Sequence, residues 1–387
     1  MAKKILFCAT VDYHFKAFHL PYMKWFKEQG WDVHVAASGT IDLPFTDKKF
    51  DIPIERSPFN LANVKAYSEL KRIIDGNQYD MIHCHTPLGG VLARLAARQS
   101  RNKGTKVIYT AHGFHFCKGA PLMNWLVYYP IESFLARYTD SLITINSEDF
   151  YLATKHRFKA MEIEHVHGVG IDTERFKPIG EDKKKEERIK LGFSQEDFLM
   201  FYAAEFNKNK NQQLLIRALA MVKDELPKAR LLLAGEGALM GECKDLARSL
   251  QVIEQIDFLG FRKDIDLLLP ACDIAVASSL REGLPVNIME AMACGLPVVA
   301  SENRGHSELI KNQINGFTIY PEDIQLFADH LKELYKSKEL LTKLSVGSLE
   351  VVKKYSLQQT TKELNVIYSS YMEEQNEPKS QYHRAYL

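Results

Sequence analysis

The chain has 387 residues, of which 46% are hydrophobic and 26% charged, and a formal net charge of +1. This is the balance of a soluble globular protein; it gives nucleic acid no bulk electrostatic reason to bind, and the length exceeds what one compact core holds, so two domains are expected. The charge is uneven, because residues 1–170 carry 21 Lys and Arg against 16 Asp and Glu while the remainder carries 29 against 33, which makes the first half the basic one.

The apolar start breaks at Asp12 and His14, so Ile5–Ala9 is predicted as a first buried strand rather than part of a signal peptide. Further apolar runs follow at Val33–Ala37, Met81–Cys84, Lys106–Thr110 and Ser141–Ile145, each leading into a helix-like stretch. That alternation predicts a doubly wound parallel sheet. The turn-rich segment Gly168–Pro178 and the charged run Glu181–Lys190 place an interdomain linker at 172–190, with Lys183–Arg188 read as a solvated helix face. A second series, Leu199–Ala203, Arg230–Ala234, Ile256–Leu259, Ile274–Ala277 and Pro297–Ala300, predicts a second sheet of the same kind. Helices are expected from Ile324 to Met372. The predicted divisions are a first domain at 1–172, a second at 190–355, a C-terminal helix at 356–372 and a loose polar tail at 373–387.

No apolar run reaches the roughly 20 residues of a membrane span, so any membrane contact is expected to be peripheral. Cys8, Cys84, Cys117, Cys243, Cys272 and Cys294 are scattered without a Cys-x-x-Cys pair, which fits buried thiols in a reducing cytoplasm.

Chemistry concentrates at the predicted strand ends, where open parallel sheets bind ligands. The segment Glu282-Gly283-Leu284-Pro285 precedes a short helix containing Glu290, which Gly295 and Pro297 terminate. A helix start offers unpaired N–H groups and positive potential to a phosphate, and carboxylates accept hydrogen bonds from hydroxyls. Lys208 and Lys210 follow the strand Leu199–Ala203 and can neutralise a diphosphate. Gly235 and Gly237 follow the next strand and permit close backbone approach. Arg262 lies in the loop after Ile256–Leu259, and Arg304 in Asn303-Arg304-Gly305-His306 after Pro297–Ala300.

In the first half, His14 and His19 follow the first strand, and His112 sits in Tyr109-Thr110-Ala111-His112-Gly113-Phe114-His115-Phe116. His83 and His85 alternate on one strand face, a metal-ligand spacing that His112 and His115 could complete. No carboxylate stands beside them in sequence, so core or acceptor-lining roles are expected and no metal. The stretch Lys118–Tyr138 combines Trp125, Tyr128 and Tyr129 with basic ends, and the aromatic, basic helix Phe15–Lys27 shares its domain. Both are candidate membrane-facing surfaces.

The two glutamates seven residues apart, with Gly-Leu-Pro after the first, resemble the signature of family-four nucleotide-sugar glycosyltransferases. The similarity is clearest over residues 199–320 and extends to the His-Gly-Phe-His-Phe segment, where it is similar to capsule and exopolysaccharide transferases. It implies the GT-B architecture: two Rossmann-like α/β domains facing a central cleft, acceptor in the first and nucleotide sugar in the second, with the last helix crossing back. It further implies retention of anomeric configuration without a metal or other cofactor. The roles carried over are catalytic for His112 and Glu282. Donor binding falls to Lys208, Lys210, Gly235, Gly237, Arg262, Gly283, Leu284, Glu290 and Arg304, and acceptor binding to His14, His85, Phe114 and His115. The implied reaction moves a hexose or N-acetylhexosamine from a UDP-sugar to a polyprenyl-diphosphate-linked sugar at the inner face of a bacterial membrane. One departure stands out: the family has an arginine where this chain has Glu205, which leaves Lys208 or Arg304 to replace it. A nucleotide-sugar 2-epimerase of the same fold, or a non-catalytic partner-binding subunit, are the alternatives.

Overall fold

The computed structural model describes residues 2–373. It contains two parallel sheets. The first comprises β1 (Lys4–Val11), β2 (Asp32–Ser38), β3 (Lys48–Asp51), β4 (Met81–His85), β5 (Lys106–Ala111), β6 (Ser141–Thr144) and β7 (Glu162–His165), in the order β3-β2-β1-β4-β5-β6-β7. The second comprises β8 (Phe198–Ala203), β9 (Ala229–Ala234), β10 (Ile256–Gly260), β11 (Ile274–Ala277), β12 (Val298–Ser301) and β13 (Gly316–Ile319), in the order β10-β9-β8-β11-β12-β13. Each reverses direction beside its first strand, the arrangement of a doubly wound α/β fold.

Alternation within β1 shows why both faces of the first sheet are covered. Leu6 and Cys8 pack on one side with Ala66, Leu70 and Ile74 of the helix Ala62–Asn77 and with Leu92 and Ala93 of Pro87–Ala96. Ile5, Phe7 and Ala9 point the other way, against Tyr22, Met23 and Phe26 of the helix Leu20–Glu28. Side chains of period two, apolar at every position, require such a two-sided cover. The second face is completed by the last helix, Leu357–Glu373, through Leu364, Ile367, Tyr368 and Tyr371. Tyr368 is fully buried, and its hydroxyl lies 2.7 Å from Nδ1 of His83 on β4, so the ring gains apolar burial worth about 2 to 3 kcal/mol without stranding its polar end.

The chain divides into two compact units: one runs to Gly170 and resumes at Gln358, the other spans Ile171–Leu357. The segment expected as a linker at 172–190 therefore lies within the second unit. Its helix, Glu181–Lys190, is not solvated along the whole of its charged run. Arg188 is buried, donating to the carbonyls of Ala271, Gln195 and Asp197 and pairing with Asp273 at 2.7 Å, while Lys184 reaches the same carboxylate at 3.0 Å. A guanidinium that makes four such bonds is a rivet, and the charge pattern alone could not single it out. The helix Leu20–Glu28, expected as a membrane-facing candidate, turns Tyr22, Met23 and Phe26 into the core instead. Of the polar tail expected at 373–387, Glu373 ends the last helix and the rest lies outside the described residues.

Replacing Arg188 by Ala is expected to lower the stability of the second unit by about 3 kcal/mol, because it leaves three carbonyls without their donor and takes the guanidinium from Asp273, which keeps only Lys184 and the Leu199 amide. Lys185→Ala, on the exposed side of the same helix, should change it by less than about 0.5 kcal/mol. Urea denaturation of both variants checks this, and equal midpoints would contradict it.

Candidate active site

In the second unit, the loops that leave the carboxyl ends of β8, β9, β11 and β12 are tied to one another by hydrogen bonds. Phe206 N donates to Glu236 O at 2.8 Å, and Leu280 N donates to Asn209 O at 2.8 Å. Asn209 Nδ2 reaches Arg281 O, Ser278 Oγ reaches Lys210 O, and Asn303 Nδ2 reaches Ser279 O. Gly235 and Gly237 serve this stitching directly. A Cβ on Gly235 would lie 2.1 Å from the Ala204 carbonyl oxygen, and one on Gly237 2.4 Å from that of Phe206. Their backbone angles, φ 138° and 152°, suit glycine as well. The close approach expected toward a ligand is thus already made toward the neighbouring loop.

This frame brings Lys210, Glu282 and Arg304 together. Lys210 Nζ meets Glu282 Oε1 at 2.5 Å, both side chains being largely buried, and Arg304 Nε donates to the Glu282 carbonyl at 3.0 Å. Gly305 lets the Arg304 helix settle on the Glu282–Pro285 loop, since a Cβ there would come within 2.8 Å of Glu282 Cβ. Glu282 and Gly283 precede the helix Val286–Ala293, whose N-cap residue Pro285 makes no side-chain bond, and the Ile288 amide bonds Asn287 Oδ1, so the amides of Val286 and Asn287 are the ones open to an anion. Leu284 is buried and can contribute only through its backbone. Lys208 is exposed on the same loop as Lys210, and so is Glu205, which accepts a bond from Asn207. Arg262 forms a two-point pair with Asp264, at 2.8 and 2.5 Å, so its charge is met locally.

Glu290, inside the helix, is partly buried, and burial pushes its carboxyl up to about 7; nearby Arg175 pulls against that rise and Asp266 adds to it. Arg175 itself pairs with Asp266 at 2.8 Å. Neither residue was singled out from the sequence. Their positions, 175 and 266, converge only through the fold, and the turn-rich composition around Arg175 gave no cue. His306 was likewise missed, although Asn303 caps its helix by accepting from His306 N at 3.0 Å, a helix-start signal visible in Asn-Arg-Gly-His.

In the first unit, four histidines from three strand ends meet. His85 closes β4, His112 follows β5, and His14 and His19 follow β1. His14 and His19 Nε2 atoms are 3.0 Å apart, and His112 Nε2 is 3.3 Å from His85 Nδ1. Burial holds all of these rings below the usual histidine range, His112 near 4, and the neighbouring rings push His14, His19 and His85 further down. His112 can therefore accept a hydrogen bond near neutral pH but brings no positive charge. His83 does not join them: its nitrogens are engaged by Tyr368 and Thr110. The residues expected to bind acceptor are split. His14 and His85 lie with His112, whereas Phe114 and His115 line a separate apolar cavity of about 210 Å³ with Leu88, Val91 and Tyr109. His115 stacks on Tyr128 at 4.5 Å, and Phe114 is buried against Phe116 at 4.7 Å.

Glu290 sets a pH dependence with a definite sign. A carboxyl that titrates near 7 when folded and near 4.5 when unfolded binds more protons in the folded state, so its contribution to stability falls as pH rises through that window. Glu290→Gln should therefore raise the melting temperature at pH 8, by the equivalent of about 2 to 3 kcal/mol, and have little effect at pH 5. Paired melting curves at the two pH values check this; an equal shift at both would contradict it.

Comparison with known proteins agrees with this geometry. Residues 183–348 match the model described as glycosyl transferases group 1, and residues 4–146 match the one described as glycosyl transferase 4-like. The protein named glycosyltransferase EpsD in Bacillus subtilis (strain 168) is 51% identical over 380 residues, covering 98% of this chain and all of the relative. The UDP-Gal:alpha-D-GlcNAc-diphosphoundecaprenol alpha-1,3-galactosyltransferase of Escherichia coli is 30% identical over 72% of each chain. Among solved structures, Anabaena Alr3699/HepE in complex with UDP superposes with a TM-score of 0.77 at 20% identity, covering 95% of this chain and 100% of its own, which establishes the shared fold. With two doubly wound sheets, a strand-end carboxylate and lysine in register with the signature, and a full-length relative at this identity, the chain belongs to the GT-B glycosyltransferases of the family-four type.

Proposed function

We propose that this glycosyltransferase moves a hexose or N-acetylhexosamine from a UDP-sugar to a sugar carried on a polyprenyl diphosphate, in the synthesis of a bacterial surface polysaccharide such as a capsule or exopolysaccharide, with retention of anomeric configuration. The observation that carries the reading is the Lys210–Glu282 pair with Arg304 on the Glu282 carbonyl. It offers an acceptor of sugar hydroxyl hydrogen bonds beside cations and helix-start amides that suit a diphosphate. The activity for which the Escherichia coli relative is named supports both the UDP-sugar donor and the lipid-linked acceptor.

In this mechanism the sugar hydroxyls exchange with Lys210 for the Glu282 carboxylate, which frees the ammonium for the diphosphate. The bond between the anomeric carbon and the phosphate oxygen breaks while Lys208, Lys210, Arg304 and the amides of Val286 and Asn287 stabilise the departing charge. The acceptor hydroxyl attacks from the same face, and its proton passes to the leaving phosphate oxygen. Backbone amides of Gly283 and Leu284 orient the sugar, Glu290 takes the ribose diol, and Gly235, Gly237 and Arg262 frame the nucleotide. Neutral His112, with His14 and His85, orients acceptor and donor hydroxyls. No metal enters these steps, since the cationic side chains and amides do the charge compensation.

A membrane-facing surface for the lipid acceptor is supported by the helix Leu122–Ala136. Leu122, Met123, Leu126, Val127, Ile131 and Phe134 are exposed, and its one charged residue, Glu132, is turned inward onto Arg94 at 2.8 Å. A surface helix without an exposed charge is suited to the membrane interface, and exposed Lys118 and Arg137 flank it. No helix among the described residues is long and apolar enough to cross a membrane.

Glu282→Ala should lower kcat by at least about 100-fold while leaving the thermal shift caused by UDP largely intact, and Lys210→Ala should weaken that shift. The anomeric configuration of the product tests retention, and an inverted linkage would refute it. Leu126→Glu combined with Met123→Glu should abolish co-sedimentation with anionic vesicles without changing the melting temperature by more than a degree or two; unchanged sedimentation would remove the membrane surface from the reading.

A further inference from the structure

We propose that the cluster of His14, His19, His85 and His112 is a binding site for a late first-row divalent cation of the zinc class, and that occupation switches the transferase off by engaging the His112 ring. One nitrogen from each of the four rings lies within 4.8 Å of those of the other three. The two shortest separations, 3.0 and 3.3 Å, are close to the roughly 3.4 Å between ligands that a tetrahedral site with metal–nitrogen bonds near 2.1 Å requires.

Hydrogen bonding alone does not account for this packing. Each of the two short contacts can be one N–H···N bond, yet His19 Nδ1 and His85 Nε2 remain buried with no hydrogen-bond partner among the described residues. Four imidazoles also crowd against one another, with His19 and His85 centroids 4.0 Å apart and those of His14 and His112 4.7 Å apart. Unprotonated imidazole is the form that ligates. The set is all nitrogen. That selects zinc, copper, nickel or cobalt over magnesium, calcium or manganese, which favour oxygen ligands. His14 and His112 are half-buried while His19 and His85 are fully buried, so a cation can enter from the side of the first two.

The inhibitory part rests on the role proposed above for His112. A ring nitrogen bound to metal cannot also bond a sugar hydroxyl, so the metal-bound and substrate-bound states exclude each other. No redox or covalent step is involved, and removal of the metal restores the free ring.

The test uses the full-length, tag-free protein, stripped with EDTA and dialysed. Titration with Co²⁺ should give visible d–d absorption that saturates at one equivalent and is displaced by Zn²⁺ but not by Mg²⁺. His14→Gln, at the half-buried rim, and His85→Gln should each weaken Co²⁺ binding at least tenfold, while His156→Ala, an exposed histidine elsewhere on the same unit, should not. Circular dichroism melting confirms that each variant is folded, and His14→Gln decides the matter if His85→Gln is not. Zn²⁺ at one equivalent should suppress sugar transfer by more than tenfold, reversibly with EDTA. Absence of Co²⁺ binding, or binding undiminished in His14→Gln, would overturn the site and leave the Glu282 reading untouched. Binding without any effect on transfer would overturn the switch. Stripped protein that binds Co²⁺ but transfers no sugar from any UDP-sugar would instead count against the proposed reaction.

Discussion

A parallel sheet covered by helices on both faces has no solvated surface of its own, and that constraint governs where this chain can place chemistry. Strand interiors such as Ile5–Ala9 and Val298–Ala300 are committed to the core on both sides. Polar side chains with work to do are confined to the loops at the strand ends, and those loops must be held still by something other than hydrophobic packing. In the second unit it is a web of side-chain bonds to backbone carbonyls, from Asn209, Ser278, Asn303 and Gln212, that ties the β8, β11 and β12 loops to each other. Lys210 and Glu282 are 72 residues apart in sequence, yet the web fixes both ends of their pair.

Electrostatics then divides the two units. The second gathers opposite charges that neutralise one another when no substrate is present, as Lys210 does with Glu282 and Arg175 with Asp266. On the proposed reaction the Lys210–Glu282 pair would exchange partners when an anionic sugar nucleotide arrives, so part of the binding energy would go to separating it. The first unit gathers histidines instead and keeps them uncharged through burial. That cluster therefore offers hydrogen-bonding nitrogens rather than ionic groups, while the ion pairs of the same unit, such as Arg94 with Glu132, lie elsewhere.

The sequence made the central strands legible because they are continuous apolar runs, and it made Glu282 and Glu290 legible because one precedes and the other lies within a short helix with clear start and stop signals. Three of the four edge strands were not legible, whereas Ile256–Gly260, an edge strand with an apolar run, was. Lys48–Asp51 and Glu162–His165 are short, polar and lie at the two margins of the first sheet, and Gly316–Ile319 lies at the margin of the second. A margin strand is paired on one side only and needs no apolar run. The buried role of Arg188 was hidden for a related reason. Its acceptors are the carbonyls of Ala271, Gln195 and Asp197 and the carboxylate of Asp273, and a backbone acceptor leaves no trace in composition. The histidine cluster was half visible. His85 and His112 stood at predicted strand ends, but His19 approaches them from a helix junction, while His83 and His115, which sequence spacing offered as companions, point elsewhere.

The first unit is not continuous along the chain. Its sheet is complete by His165, but the face formed by Ile5, Phe7 and Ala9 is closed in part by Leu364, Ile367 and Tyr368, and the 187 residues from Ile171 to Leu357 come between. At ribosomal rates of about 5 to 20 residues per second, that apolar face stays open for some 10 to 40 s after its own strands have emerged. His83 waits as long for the Tyr368 hydroxyl. The second unit, contiguous and finished earlier, needs nothing from the end of the chain. Biogenesis therefore runs against sequence order: the unit that begins first is the last to be sealed, and a nascent chain stalled short of residue 358 would carry a completed second unit beside a first sheet that still exposes its core.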